Sequence, residues 1–145
     1  MDLLDQRIKG VLPSIEIAGK DYTIDIRLNE LREKERPWSK LLLEDMVKSA
    51  DDKHYLFFYD INRGEIIHAS PKMVQVPKHA VLVEIPDELG LDPVGLARKY
   101  GLDDRYFLKE QAYRNQITAK LTPLKDSGLV EYVKQNQRAE LKVKK

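Results

Sequence analysis

The pattern of apolar and polar positions changes period several times along the chain, and each change marks an element. "SIEIAGKDYTIDIRL", residues 14–28, alternates strictly, with Ile15 and Ile17 on one face and Ile24, Ile26 and Leu28 in register beyond a turn at 18–21. Period two on both sides of a turn predicts a β-hairpin with one buried face. Asp25 and Arg27 fall on the opposite side, as an exposed ladder. The charge-dense "NELREKERPW" ends at Pro37 and Trp38 and reads as a short helix or a loop. Ser39 then caps a predicted helix over 40–48, with Leu42, Leu43, Met46 and Val47 as its inner stripe.

"HYLFFYDINRGEIIHAS" predicts a second hairpin. Its first strand, 55–59, is apolar on both faces, which suits a central strand, and Gly64 supplies the turn with a positive φ. Ser70 and Pro71 stop it. "AVLVEI", 80–85, is a further continuous apolar strand. The period then lengthens: Asp92 reads as an N-cap, Pro93 as the first helical residue and Gly101 as a left-handed stop. A second helix is expected after Asp103 or Asp104, running toward Ala112. "QITAKL" predicts one strand with Ile117, Ala119 and Leu121 facing inward. A last helical region starts near Thr122–Pro123, breaks around 126–128 and continues through Leu129, Val130 and Val133.

Hairpin, helix, hairpin, strand, helical corner, strand, helix is the order of an α+β fold. The expectation is a mostly antiparallel central sheet built from two hairpins and additional strands, with helices packed on one side. Residues 1–13 read as an N-terminal extension, 14–140 as a single α+β domain and 141–145 as a frayed basic tail.

Composition narrows the function classes. The chain has 145 residues, 42% hydrophobic and 34% charged, enough for one core and neither disordered nor membrane-like in balance. It has no cysteine, so a disulfide-stapled secreted scaffold, a thiolate nucleophile and a zinc ribbon are excluded. The cytoplasm is the expected setting. No apolar run approaches the roughly 20 residues that span a bilayer, so no membrane partner is expected. The net charge of +1 conceals a gradient. Residues 1–52 carry nine basic and twelve acidic side chains, whereas 96–145 carry twelve and six. A basic last third points either to nucleic acid or to an ordinary lysine-rich terminal helix.

The corner at 93–112 has the parts of a helix-turn-helix: Ala97 as the small residue, Gly101 at the turn, and Leu96, Tyr100, Leu102 and Phe107 as anchors. It departs from that motif in having Gln111 in place of an apolar anchor, in Asp103 and Asp104 at the start of the would-be recognition helix, and in following a strand. If it reads nucleic acid, the contacts are Arg98, Lys99, Arg105, Lys109, Arg114 and Lys120. Gly90 and Gly95 have phosphate-loop spacing, but Leu96 and Ala97 stand where a lysine and a hydroxyl are required. His54, His68 and His79 lie at or near strand ends and form a metal or acid–base site only if folding gathers them.

The favoured reading is a small intracellular protein-interaction or binding module without catalysis, with no cofactor and no metal, and with Trp38 as its partner surface. A homo-oligomer formed through a sheet edge is a related possibility. The alternatives are nucleic-acid association through the basic third, and an enzyme with a His/carboxylate site.

Overall fold

The computed structural model describes residues 2–143. A short helix, α1 (Leu3–Ile8), begins where the Asp2 carboxylate accepts from the Asp5 N–H at 2.8 Å. The first hairpin forms as its alternation predicts: β1 (Ser14–Ile17) pairs antiparallel with β2 (Lys20–Asp25). Ile15, Ile17, Tyr22 and Ile24 are completely buried along one face.

In the charge-dense stretch after it, 34–38 is the expected loop, but the first half is a strand. It forms β3 (Glu30–Glu33), antiparallel to β2, with Leu31 opposite Ile24 in the core. Its carboxylates are accommodated by nearby cations: Glu30 meets Arg32 on the same strand and Lys40 across the ladder, and Glu33 meets Arg36 on the turn that follows. The helix expected over 40–48 is replaced by β4 (Lys40–Leu42), a 3-10 turn at Leu43–Asp45, and β5 (Val47–Lys48). Leu41 lies opposite Leu31 across the ladder, and Leu43 and Met46 also reach the core. The open side of β3 outweighs the local helical pattern.

The second hairpin is β6 (His54–Asp60) with β7 (Glu65–Ile67), and β8 (Ala80–Pro86) pairs with β6 along its whole length. Two short helices follow, α2 (Glu88–Leu91) and α3 (Pro93–Lys99). Then come β9 (Gln116–Thr118), β10 (Lys120–Pro123), a 3-10 turn at Leu124–Asp126 and α4 (Leu129–Val143). Of the expected tail at 141–145, α4 runs to Val143, and 144–145 lie outside the described residues.

These ten strands make an α+β fold with two mostly antiparallel sheets rather than one central sheet. The first runs β4-β3-β2-β1-β9, with β1 and β9 parallel; the second runs β10-β8-β6-β5, with β7 also on β6. Their inner faces share one core in which Ile15, Ile17, Tyr22 and Ile24 meet Tyr55, Phe57, Tyr59, Val83 and Ile85. The Tyr22 and Tyr59 hydroxyls join the sheets through a buried 2.6 Å hydrogen bond. Gly64 turns the second hairpin at φ +66°, close enough that a Cβ there would stand 3.5 Å from both hydroxyls.

The single strand expected over 116–121 is divided at Ala119. Its N–H still donates to the Glu16 carbonyl in the first sheet, while Lys120 already pairs with Glu84 in the second. The change of sheet turns Leu121 outward, where it is 41% exposed, against the expected inward orientation. The outer face of the second sheet is partly covered by α4, whose Leu129 and Val133 pack with Leu124 against Phe58, Met73 and Ala80. No helix among the described residues is long and apolar enough to cross a membrane.

Candidate functional site

The helical corner is only half present. Pro93 opens α3 and Gly101 ends it with φ +71°, as expected, but 103–112 forms consecutive tight turns instead of a second helix. The Asp103 carboxylate accepts from the Arg105 N–H at 2.9 Å, and the N–H groups of Tyr106, Leu108 and Glu110 reach back only three residues. Asp104 is held by Arg98 at 2.8 and 3.0 Å. Side-chain bonds at both aspartates compete with helix initiation, so a recognition helix does not form.

The six cations expected to contact nucleic acid are dispersed. Arg98 binds Asp104 and the Ile8 carbonyl, the latter at 2.7 Å. The Lys99 ammonium donates to the Asn29 side chain at 2.6 Å and the Ile26 carbonyl at 3.4 Å. Arg114 donates to the Gly90 carbonyl at 3.3 Å. Arg105 and Lys109 are exposed on the turns, and Lys120 is exposed on β10.

Arg98 and Lys99 instead share a cleft of about 450 Å³ with Arg7, Arg27, Arg32 and Asp25, formed where α1, the β2–β3 turn and α3 meet. Arg7 comes from the stretch expected as an extension. Its guanidinium is 4% exposed and grips the fully buried Asp92 through Nε and Nη2. Asp92 was expected to cap α3; its carboxylate makes no capping bond, being engaged by Arg7. Asp25, expected on an exposed ladder, is buried as well. It accepts from Arg32 at 2.7 Å and from the Leu28 N–H at 3.2 Å. Burial alone pushes the Asp25 carboxyl up, but these two donors outweigh it and hold the group below the usual carboxylate range.

Trp38 stands elsewhere, on the turn between β3 and β4, and is 76% exposed. The turn beneath it is braced. The Glu33 N–H donates to the Ser39 carbonyl at 3.0 Å, the Ser39 N–H to the Arg36 carbonyl at 2.8 Å, and Arg36 binds Glu33 at 2.9 Å. The Lys34 N–H ties the turn to Asp21 in the first hairpin at 2.9 Å.

The three histidines do not converge. His54 faces Asp51 at 3.5 Å, His68 lines a groove on the outer face of the second sheet, and His79 takes a left-handed φ of +56°. No group of three or more metal-ligating side chains occurs among the described residues. That groove, of about 410 Å³, is walled by Val47, Leu56, Phe58, Ile67 and Leu82. A polar cluster lies at the near end of β6, where the Tyr55 hydroxyl donates to Glu88 and Lys48 lies 3.6 Å from the same carboxylate.

The glycines with phosphate-loop spacing serve packing. A Cβ on Gly90 would come within 2.5 Å of the Pro86 Cβ, and one on Gly95 within 2.4 Å of the Asp92 Oδ2. The cleft itself was missed in the sequence because its arginines come from three separate segments, Arg7 from α1, Arg27 and Arg32 from the β2–β3 hairpin and Arg98 from α3, and no local spacing unites them. No protein-family model, curated protein or solved structure matches the chain.

Proposed function

We propose that this protein is a binding module whose partner is another protein, docked on the β3–β4 turn with Trp38 as its anchor. The carrying observation is the combination of a 76% exposed indole with a turn braced by three backbone bonds and one ion pair. A tryptophan offers large apolar area at low entropic cost, and tryptophan is enriched among the few central residues that carry most of an interface's binding energy. A turn already rigid before docking loses little further freedom on binding.

Trp38 is the only tryptophan of the chain, so its emission reports directly on docking. Wild type, Trp38→Phe and Trp38→Ala serve as baits. The reading expects a protein recovered by wild type and Trp38→Phe and lost with Trp38→Ala, and the purified partner shifts the wild-type emission to the blue. Equal recovery by Trp38→Ala, or binding that leaves the emission unmoved, overturns it. A second copy of this chain is one partner the same experiment reveals, through an emission shift that depends on concentration.

A second reading, nucleic-acid association, is favoured by the exposure of Arg105, Lys109 and Lys120 without an ion pair among the described residues. It expects duplex binding that weakens steeply with added salt, as counterion release requires.

A further inference from the structure

A cleft walled by cations has one of two destinations for its charge: acids of the same chain or an anion from outside. Here the two cases are separable residue by residue. Arg7 is matched by Asp92, Arg32 by Asp25 and Glu30, and Arg98 by Asp104, all within 3.3 Å. These guanidinium groups are thereby fixed in position. Lys99 is held only by neutral oxygens, the Asn29 amide and the Ile26 carbonyl, so its charge is oriented but not neutralised. Arg27, on the β2–β3 turn, is exposed and has no ion pair among the described residues. Arg27 and Lys99 thus line one cavity with no ion pair among the described residues, and its other cations are held by ion pairs, of which Arg7–Asp92 is buried and Arg98–Asp104 partly exposed.

We propose that this cleft binds a small oxyanion, inorganic phosphate or the phosphate group of a small molecule. Arg27 and Lys99 contact it directly, and Arg7, Arg32 and Arg98 form the fixed wall behind them. The cavity of about 450 Å³ falls in the range of small-ligand sites. Arginine's fork of donors suits a phosphate face and lysine supplies a point charge, so the pair complements a dianion. Because the Lys99 ammonium is pre-positioned at 2.6 Å from Asn29, little side-chain freedom is lost when the ligand enters.

The test is calorimetric titration of the full chain with inorganic phosphate and with pyrophosphate at constant ionic strength. Saturable binding is expected. It weakens at least tenfold in Arg27→Gln, a substitution on an exposed turn that leaves the fold intact, and in Lys99→Gln, whose folding is checked by circular dichroism. Lys109→Gln, outside the cleft, is expected to bind as wild type does. Absence of saturable binding by either probe overturns the proposal, as does equal binding by Arg27→Gln and Lys99→Gln. A short DNA duplex is the comparison arm. If it displaces phosphate and its own affinity falls with Arg27→Gln, the anion is a nucleic-acid backbone, and the assignment to a small molecule is overturned.

Discussion

Arg7 and Asp92 form a buried bidentate pair, with Nε 3.1 and 3.2 Å and Nη2 2.8 Å from the carboxylate oxygens. It fastens α1 to the start of α3, so the first residues of the chain and its middle act as one piece. Breaking such a pair from one side leaves a buried charge without its counterion, which costs about 3–5 kcal/mol. Arg7→Ala and Asp92→Ala are each expected to lose about that much in urea unfolding. The double replacement Arg7→Met with Asp92→Leu is expected to lose less than either single change, because no charge remains buried.

Gly90 and Gly95 are each needed for space. A methyl group on Gly95 would stand 2.4 Å from Asp92 and 3.2 Å from Arg7, and one on Gly90 would stand 2.5 Å from Pro86. Each Gly→Ala change is expected to destabilise by about 1–3 kcal/mol through overpacking. The Gly95 penalty should shrink when Asp92 is also replaced by alanine, whereas the Gly90 penalty should not. A double-mutant cycle read by thermal unfolding distinguishes the two.

The phenols of Tyr22, Tyr55 and Tyr59 all resist ionisation, burial being the first cause at each. Their folded pKa values lie above the unfolded value of about 10. The stability this provides is complete below about pH 10 and is lost as pH rises through the folded values. An ultraviolet titration is expected to show these tyrosines ionising late, with the onset of alkaline unfolding. Tyr59→Phe strands the buried Tyr22 hydroxyl and is expected to cost about 1–3 kcal/mol, and the double change Tyr22→Phe with Tyr59→Phe is expected to cost less than the sum of the two single changes.

At acid pH the sign is reversed. Asp25 and Glu88 have folded pKa values below their ordinary ones, Asp25 through Arg32 and the Leu28 N–H, Glu88 through the Tyr55 hydroxyl and Lys48, each against the opposing effect of burial. Their contribution is present above about pH 4 and is lost as pH falls through the folded values. Stability measured by urea unfolding is expected to fall with pH below about 4 in wild type. Asp25→Asn is expected to flatten that slope.

Much of the fold is legible in the sequence where local pattern and tertiary demand agree. Both hairpins, the strand at 80–86 and the helix opened by Pro93 follow from alternation and punctuation. Residues 30–33 and 40–48 do not, because their conformation is decided by strand partners. Glu30 and Glu33 look like solvent residues until Arg32, Arg36 and Lys40 are placed beside them. Ala119 shows the limit of periodicity: the alternation of 116–121 is unbroken, yet the strand changes partners in its middle. The candidate sites divide likewise. Trp38 stands out by residue type next to Pro37, while the cationic cleft is an assembly of distant segments. The six cations singled out within the basic last third are a feature of the sequence that folding spreads over several surfaces.

The parallel pairing of Ser14 with Gln116 has a consequence for how the molecule comes into being. The outer neighbour of β1 is supplied from about a hundred residues further along the chain, and contacts of that span slow folding. During synthesis the N-terminal hairpin emerges early but keeps one open edge until β9 leaves the ribosome. The crossing at Ala119 then delivers β10 to the other sheet within a few residues. Completion of the two sheets is therefore coupled in time, and a chain stopped before residue 116 lacks the closing strand of both.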